Sequence, residues 1–284
     1  MTEITEPGVY DLTSTEYHAD PVPGGSLSST GARKLLPPSC PAKFAYERDN
    51  PPASTKPLDL GSAAHDAVLG AGPEIVVVDA DSWRTNKAKD AAAEARARGA
   101  VPILTHEAQQ IAAMRDALLA HPFAGRLFQP GSGTPEASLF WRDEPTGTML
   151  RARLDWLRRQ GDGRVIIPDL KTAVSAEPDE FMKAAARYGY HQQGAWYKAG
   201  AVVLGLADPD AVFVFVVQEK EPPYVVSVIQ ADAAAMRIGA AMNRRAIDIY
   251  AACTERGDWP GYVEDVALGS LPRWYELTHE EDAA

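Results

Sequence analysis

The chain has 284 residues, of which 45% are hydrophobic and 24% are charged, a composition typical of an ordinary globular protein. This length allows one large α/β domain with its own core, or two small ones. The formal net charge of -11 argues against broad electrostatic adhesion to nucleic acid, but a basic channel is compatible with acidic residues clustered elsewhere, as in the C-terminal HEEDAA.

The sequence also argues against a membrane or secreted protein. No apolar run approaches the roughly 20 residues of a membrane span, and the N-terminus MTEITEPGVY lacks the basic and apolar parts of a signal sequence. The two cysteines, Cys40 and Cys253, are far apart and lack metal-ligand spacing, so we expect both to be reduced core residues. We therefore predict a cytoplasmic protein.

The first predicted helices follow a Pro-Gly-Gly loop. Ser28 or Ser29 is expected to cap a short helix from Thr30 to Leu36, and a second helical turn is predicted from Pro41 to Arg48. Hydroxyl groups at a helix N-terminus, with Arg33 nearby, can hold a phosphate. Simple capping is the commoner use of such serines.

After a proline-rich linker, the segment LDLGSAAHDAVLG predicts a helix that ends at Gly70. His65 is the polar side chain expected to point inward from this helix. A lone histidine on such a face is more often a core residue than a ligand, and a metal nearby would reverse that preference.

A strand from Ile75 to Val78 is followed by a basic helix from Trp83 to Gly99 and an amphipathic helix from Thr105 to His121, capped by its first residue. Arg84 and Lys87 are three residues apart and could share a face toward a phosphate. Mixed-charge runs of this kind are usually solvated surfaces.

The most informative stretch is Met149 to Thr172, which reads as two strands joined by a glycine-rich turn. Alternation places Leu150, Ala152, Leu154 and Trp156 on one face of the first strand and Asp155 on the other, with Arg151 and Arg153. On the second strand, Asp169 and Lys171 are two residues apart and point the same way. The preceding strand, from Pro135 to Asp143, adds Glu136.

The length of the turn decides whether Asp155 meets Asp169. A three-residue loop, Gly161 to Gly163, would put the two residues directly opposite each other, whereas a two-residue Asp-Gly turn would put Asp155 against Leu170. We predict the first. Opposed carboxylates are destabilising unless a cation lies between them, and Mg²⁺ suits one or two carboxylates, a backbone carbonyl and water. The alternative is a pair of solvated strand-edge charges.

The remaining elements extend the sheet and cover it. A helical region from Glu177 to Gly205 is predicted to break near Gly189, with Gln193 and Tyr197 four residues apart on one helix surface. The other predicted elements are a strand apolar enough to be central, a second strand and a long helix: Ala211 to Gln218, Tyr224 to Gln230 and Asp232 to Arg256.

Five motifs in a fixed order resemble the PD-(D/E)XK nuclease superfamily. They are the histidine of LGSAAH, a Glu-x-Ser strand, an Asp on one strand, Asp-x-Lys on the next, and Gln-x-x-x-Tyr on the following helix. Within the superfamily, the chain looks most like the RecE-type exonucleases of phage recombination systems, which belong with RecB-like and lambda-type exonucleases. The resemblance covers Leu27 to Ile229. Asp169 stands where many members carry Glu, and the iron-sulfur cysteines of some RecB-like relatives are absent.

The resemblance implies an α/β, restriction-endonuclease-like core with a central mixed β-sheet flanked by helices. This core is expected over residues 27–256, between an N-terminal arm (1–26) and a C-terminal tail (257–284). It also implies Mg²⁺, with Mn²⁺ as a substitute, bound by Asp155, Asp169, the carbonyl of Leu170 and His65. Lys171 would assist the attacking water. The implied supporting or DNA-contacting residues are Glu136, Gln193 and Tyr197 and, by looser analogy, Ser28, Arg33, Arg84 and Lys87.

The activity that the resemblance implies is 5′-to-3′ exodeoxyribonuclease action on one strand of linear double-stranded DNA. The remaining 3′ single strand would pass to a RecT-type single-strand annealing protein. The same resemblance implies a homo-oligomeric ring, trimer or tetramer, encoded by a phage and acting in a bacterial cytoplasm. Two alternatives stay open: an endonuclease or repair nuclease of the same fold, and a DNA-binding protein without hydrolytic activity.

Overall fold

The structure is a computed structural model that describes residues 3–50, 60–158 and 164–279. In these ranges the strands are β1 (Gly8–Tyr10), β2 (Leu27–Ser28), β3 (Ile75–Val78), β4 (Val101–Leu104), β5 (Gly133–Arg142), β6 (Met149–Arg158), β7 (Ile166–Ala173), β8 (Val212–Glu219) and β9 (Val226–Gln230). Among the same residues, no helix has both the length and the apolar character needed to cross a membrane.

The helices follow the chain in the order α1 (Ser14–His18), α2 (Ser29–Lys34), α3 (Pro41–Asp49), α4 (Leu60–Leu69), α5 (Asn86–Ala97), α6 (Thr105–Ala120), α7 (Ala124–Leu127), α8 (Pro178–Tyr188), α9 (Tyr190–Val203), α10 (Ala233–Arg256) and α11 (Arg273–Thr278). The long predicted helices are confirmed. The break at Gly189 is confirmed too, because this residue has a φ of 70° between α8 and α9.

Three sheets are present in the described part of the chain. The first has the order β1-β5-β6-β2, with β2 parallel to β6 and the other pairs antiparallel. The second has the order β7-β8-β9, with β7 parallel to β8 and β9 antiparallel to it, and the third pairs β3 with β4. The predicted class, a mixed α/β fold with helices flanking the sheets, is confirmed.

The predicted alternation of β6 is confirmed by its burial. Leu150, Ala152 and Leu154 are buried in the main core, and the intervening residues are less buried. Trp156 is buried as well, but it packs in a second cluster with Phe128, at a ring distance of 5.9 Å. One face of β6 therefore builds the core and leaves the other face free for polar side chains.

Helix α9 lies directly on the sheets. It packs against β5, β6, β8 and α10, and a Cβ atom at Gly194 or Gly200 would lie 2.7 Å from the ring of Phe213 or Trp141. These glycines therefore permit the close approach that brings the polar face of α9 to the strand ends.

The N-terminal arm covers the outer side of the first sheet. β1 pairs with β5, and Ile4, Tyr17 and Val22 form a cluster with Phe140 and Met149. At the other end of the chain, the ring of Trp259 packs 5.4 Å from that of Phe44. Beyond it, large apolar side chains are exposed, with Leu268 at 98%.

The predicted register between Asp155 and Asp169 is wrong. The loop at residues 161–163 lies outside the described residues, but β6 and β7 belong to different sheets and share no ladder within them. Instead, the Leu170 N–H donates to Oδ2 of Asp155 at 2.6 Å. A charged acceptor makes a stronger hydrogen bond than a backbone carbonyl, so the Asp155 carboxylate links β6 to β7 in place of a ladder.

The cap of α6 and the start of α5 also differ from the prediction, although α6 begins at Thr105 as expected. The Leu104 N–H donates to Oε2 of Glu107 at 2.7 Å, so the cap of α6 comes from its third residue and not from Thr105. Helix α5 begins at Asn86 with Thr85 as its cap, not at Trp83. The short strands β1 and β2 escape the prediction because two or three residues carry no periodic signal, and β4 escapes it because Pro102 interrupts its apolar run.

Candidate active site

The candidate site lies where β5, β6 and β7 meet α4 and α9. Glu136 projects into it from β5, opposite Asp155: the ladder pairs Pro135 with Trp156 and Ala137 with Leu154 on either side. Glu136 has a φ of 51°, a left-handed conformation that is uncommon for a residue with a side chain and typical of functional sites.

Three side chains form a donor set suited to a divalent cation. His65, Glu136 and Asp155 each offer one ligand atom, and these atoms lie within 4.8 Å of one another. Nε2 of His65 lies 3.1 Å from Oδ2 of Asp155, and Nδ1 lies 3.8 Å from Oε1 of Glu136. Two carboxylates and an imidazole fit a hard or borderline metal ion such as Mg²⁺ or Mn²⁺. The structure thus brings Glu136 into the group as a third donor.

Asp169 and Lys171 form a buried ion pair beside this set. Asp169 has no exposed surface, and Nζ of Lys171 contacts its Oδ2. Nε2 of Gln193 donates to Oδ1 of Asp169 at 3.3 Å and to the Tyr197 hydroxyl at 2.9 Å. The predicted Gln193 and Tyr197 therefore meet the predicted pair through one hydrogen-bonded chain.

Burial and neighbouring charges shift the pKa values of Asp155 and Asp169 in opposite directions. Burial raises the pKa of Asp169 to about 6, with the charge of Asp155 adding to the effect and Lys171 opposing it. Burial also disfavours the Asp155 anion, but His65, Lys171 and the Leu170 amide together hold the pKa of Asp155 below its ordinary value. Asp155 is thus the firmly ionised carboxylate, and Asp169 ionises fully when more positive charge is present.

The two cations of the site keep their protons. Burial opposes the charge of Lys171, but Asp169 and Asp155 raise its pKa. Burial likewise opposes the His65 cation, yet Asp155, Asp66 and Glu136 raise the pKa of His65 to about 10. In the metal-free protein both groups are therefore charged at neutral pH.

This charge state predicts that metal binding releases a proton. Imidazole ligates a metal only in its neutral form, so at about pH 7.5 Mn²⁺ binding should expel close to one proton from His65, and metal affinity should rise with pH up to about 10. Calorimetric titration in buffers of different ionisation enthalpy measures the released protons. His65→Gln should bind Mn²⁺ more weakly without this release, and exposed His106→Gln should match the wild type. Equal release from His65→Gln would exclude His65 as the ligand.

The four predicted DNA contacts have different positions. Ser28 caps α2, accepting from the Gly31 N–H at 3.1 Å, and also lines a cavity with Asp155 and Tyr197. Arg33 donates to the Tyr188 carbonyl at 3.0 Å. Arg84 and Lys87 are exposed near α5 and line neither cavity at the site. The structure does not bring these last two residues to the carboxylates.

Two open cavities meet at the site. One, of about 930 Å³, is lined by His65, Leu170 and Lys171, and the other, of about 820 Å³, is lined by Ser28, Asp155 and Tyr197. Glu136 and Arg153 line both. Substrate-sized space therefore reaches the carboxylates from two sides.

Arg153 belongs to the site, although the motifs in the sequence predict no role for it there. Its guanidinium donates to Oε2 of Glu136 at 2.5 Å, to the Leu12 carbonyl at 2.8 Å and to the Ser138 hydroxyl at 3.0 Å. It therefore ties the N-terminal arm to a candidate metal ligand. The sequence does contain an indication of this role, because Arg153 stands two residues before Asp155 and therefore points to the same face of the strand.

A family model and a solved structure are similar to this chain over most of its length. The model of the family described as a PDDEXK-like domain of unknown function (DUF3799) matches residues 28–270. A solved structure from Eubacterium rectale, described as a "putative exonuclease", has a TM-score of 0.59 at 13% identity, covering 95% of this chain and 98% of that one.

A second solved structure, of SSO0001, has a TM-score of 0.30 at 13% identity over 67% of this chain and 84% of its own, too low for any argument. No curated protein matches the chain. The Eubacterium rectale protein, at its low identity, supports the fold alone. The family match spans most of the sequence and confirms the predicted superfamily. The chain belongs to the family of PDDEXK-like domains of unknown function.

Proposed function

We propose that this protein is a divalent-metal-dependent deoxyribonuclease that hydrolyses phosphodiester bonds. The observation that carries the proposal is the gathering of His65, Glu136 and Asp155 within 4.8 Å of one another beside the buried Asp169–Lys171 pair, at a cavity of about 930 Å³. Membership of a PDDEXK-like family supports the same chemistry.

In this proposal the anionic and cationic side chains have different roles. Asp155, Asp169, Glu136 and His65 would hold the cation, with the Leu170 carbonyl as a further oxygen ligand. A cation bound there would supply positive charge to the phosphate and acidify a water molecule. Lys171, held by Asp169, donates hydrogen bonds to the negative charge that develops on the phosphate. Gln193 and Tyr197 hold the Asp169 carboxylate in place.

The more specific form of the proposal is a RecE-type exonuclease. It would degrade one strand of linear duplex DNA from the 5′ end in a bacterial cytoplasm and leave a 3′ single strand for a RecT-type annealing protein. The order of the motifs along the chain supports this form. A trimeric or tetrameric ring around DNA would place the acidic surface outside, consistent with the net charge of -11.

Three DNA substrates test the proposal: linear 5′-phosphorylated duplex, nicked circle and closed circle, each with Mg²⁺, Mn²⁺ or EDTA. We expect mononucleotide release from the linear form alone, and none with EDTA. A label on the 5′ end should be released at once, whereas a label on the 3′ end should stay on a long strand. Cutting of closed circles would replace the exonuclease with an endonuclease. Mobility shifts without any cutting would favour a non-catalytic DNA-binding protein.

A further inference from the structure

Tyr190 extends the polar face of α9 toward the lysine of the site. It is the first residue of the helix, three residues before Gln193 and seven before Tyr197, so the three side chains leave the same face. Nζ of Lys171 lies 5.3 Å from the centroid of the Tyr190 ring. Gln193 reaches Asp169, and Tyr190 thus reaches the other member of the ion pair.

The Tyr190 ring is fixed by aromatic neighbours. It stacks on Phe181 at 6.0 Å with an interplanar angle of 23° and lies 6.3 Å from Phe215. Phe215 is fully buried and is the ladder partner of Asp169 between β7 and β8. The ring therefore packs against β8, the strand next to the one that carries the ion pair.

The backbone at Tyr190 is fixed as well. Gly189 adopts a φ of 70° between the two helices, and a Cβ atom there would lie 2.7 Å from Cδ of Arg33. Arg33 also donates to the Tyr188 carbonyl at 3.0 Å. The start of α9 is thus clamped, and the Tyr190 ring has little freedom to move away from Lys171.

An ammonium group has three N–H donors on a flexible stem. In this site the Lys171 ammonium pairs with Asp169 on one side. On a second side the electron-rich face of the Tyr190 ring attracts the cation. On a third side lies the open cavity that Lys171 and Tyr190 both line. We propose that Tyr190 is a positioning residue that holds the Lys171 ammonium toward the reacting phosphate. The inference rests on the proposed nuclease function.

The first test compares two substitutions at one position. Tyr190→Leu removes the ring and should lower kcat on linear duplex DNA about tenfold, the range expected for a partly desolvated cation–π contact, with KM unchanged. Tyr190→Phe keeps the ring and should stay near the wild type. Tyr46→Leu, at an aromatic residue that is 69% exposed on α3, is the matched control. Full activity of Tyr190→Leu, or equal losses in the Leu and Phe variants, would overturn the proposal.

A double substitution tests whether Tyr190 acts through Lys171. Lys171→Met alone should reduce kcat strongly, and adding Tyr190→Leu should reduce it no further, because the two residues share one function. Independent, additive losses would show that Tyr190 acts elsewhere.

A spectroscopic measurement does not depend on hydrolysis. In the ¹³Cε-lysine spectrum, the Lys171 signal, identified by its absence in Lys171→Met, should be displaced by the ring current of Tyr190. It should keep this position in Tyr190→Phe and lose it in Tyr190→Leu. An undisplaced signal in the wild type would refute the contact itself. An inactive wild type with the displaced signal would instead refute the proposed nuclease function and leave the contact established.

Discussion

Asp169→Asn is expected to abolish hydrolysis while the fold and DNA binding remain. Asparagine keeps the shape of the side chain and the oxygen that accepts from Gln193, but it removes the charge that pairs with Lys171 and would bind the cation. Loss of both functions should reduce the single-turnover rate by about a thousandfold or more.

The measurement is cleavage of labelled linear duplex with Mg²⁺, beside DNA binding by fluorescence anisotropy in EDTA. Asp116→Asn, whose side chain is 66% exposed on α6, is the matched control and should cleave like the wild type. If Asp169→Asn lost DNA binding without losing its circular dichroism spectrum, Asp169 would belong to the architecture of the binding surface and not to catalysis.

Trp196→Ala is expected to cause a larger loss of stability than Trp196→Phe or Trp274→Ala. Trp196 is 1% exposed, packs 5.7 Å from the Trp141 ring and donates from Nε1 to the Arg151 carbonyl at 2.9 Å. Removing the ring leaves a cavity between α9 and the first sheet and an unpaired carbonyl. Together these should lower the free energy of unfolding by about 3–5 kcal/mol.

Urea denaturation followed by far-ultraviolet circular dichroism measures this loss. Trp274→Ala, at a tryptophan that is 68% exposed in α11, should change the free energy of unfolding by less than about 0.5 kcal/mol. Trp196→Phe should fall between the two because it keeps an aromatic ring and loses the hydrogen bond. Equal stability of the two alanine variants would show that α9 is not anchored through Trp196.

The parts of the fold that follow from local chemistry could be predicted from the sequence. The apolar run of β8 predicts a central strand, and Gly189 predicts the break between two helices, because each signal lies within a few neighbouring residues. The order of the motifs, through its resemblance to a nuclease superfamily, also predicts that Asp155, Asp169 and Lys171 share a site. These expectations needed no knowledge of how distant segments pack.

The parts that depend on distant contacts could not be predicted. Arg33 donates to a carbonyl 155 residues further along the chain, and nothing near either residue in the sequence indicates that bond. The left-handed conformation of Glu136 is held by its tertiary surroundings, since its local sequence is that of a regular strand. The exposed position of Lys87 depends on which face α5 buries.

Asp155 and Asp169 stand on separate sheets, and the hydrogen bond from the Leu170 amide to Asp155 spans the gap between them at 2.6 Å. This amide proton can exchange with solvent deuterium only when the carboxylate moves away from it. Its exchange rate therefore reports how often the two halves of the site separate. A single backbone resonance thus monitors the integrity of the whole centre without any substrate.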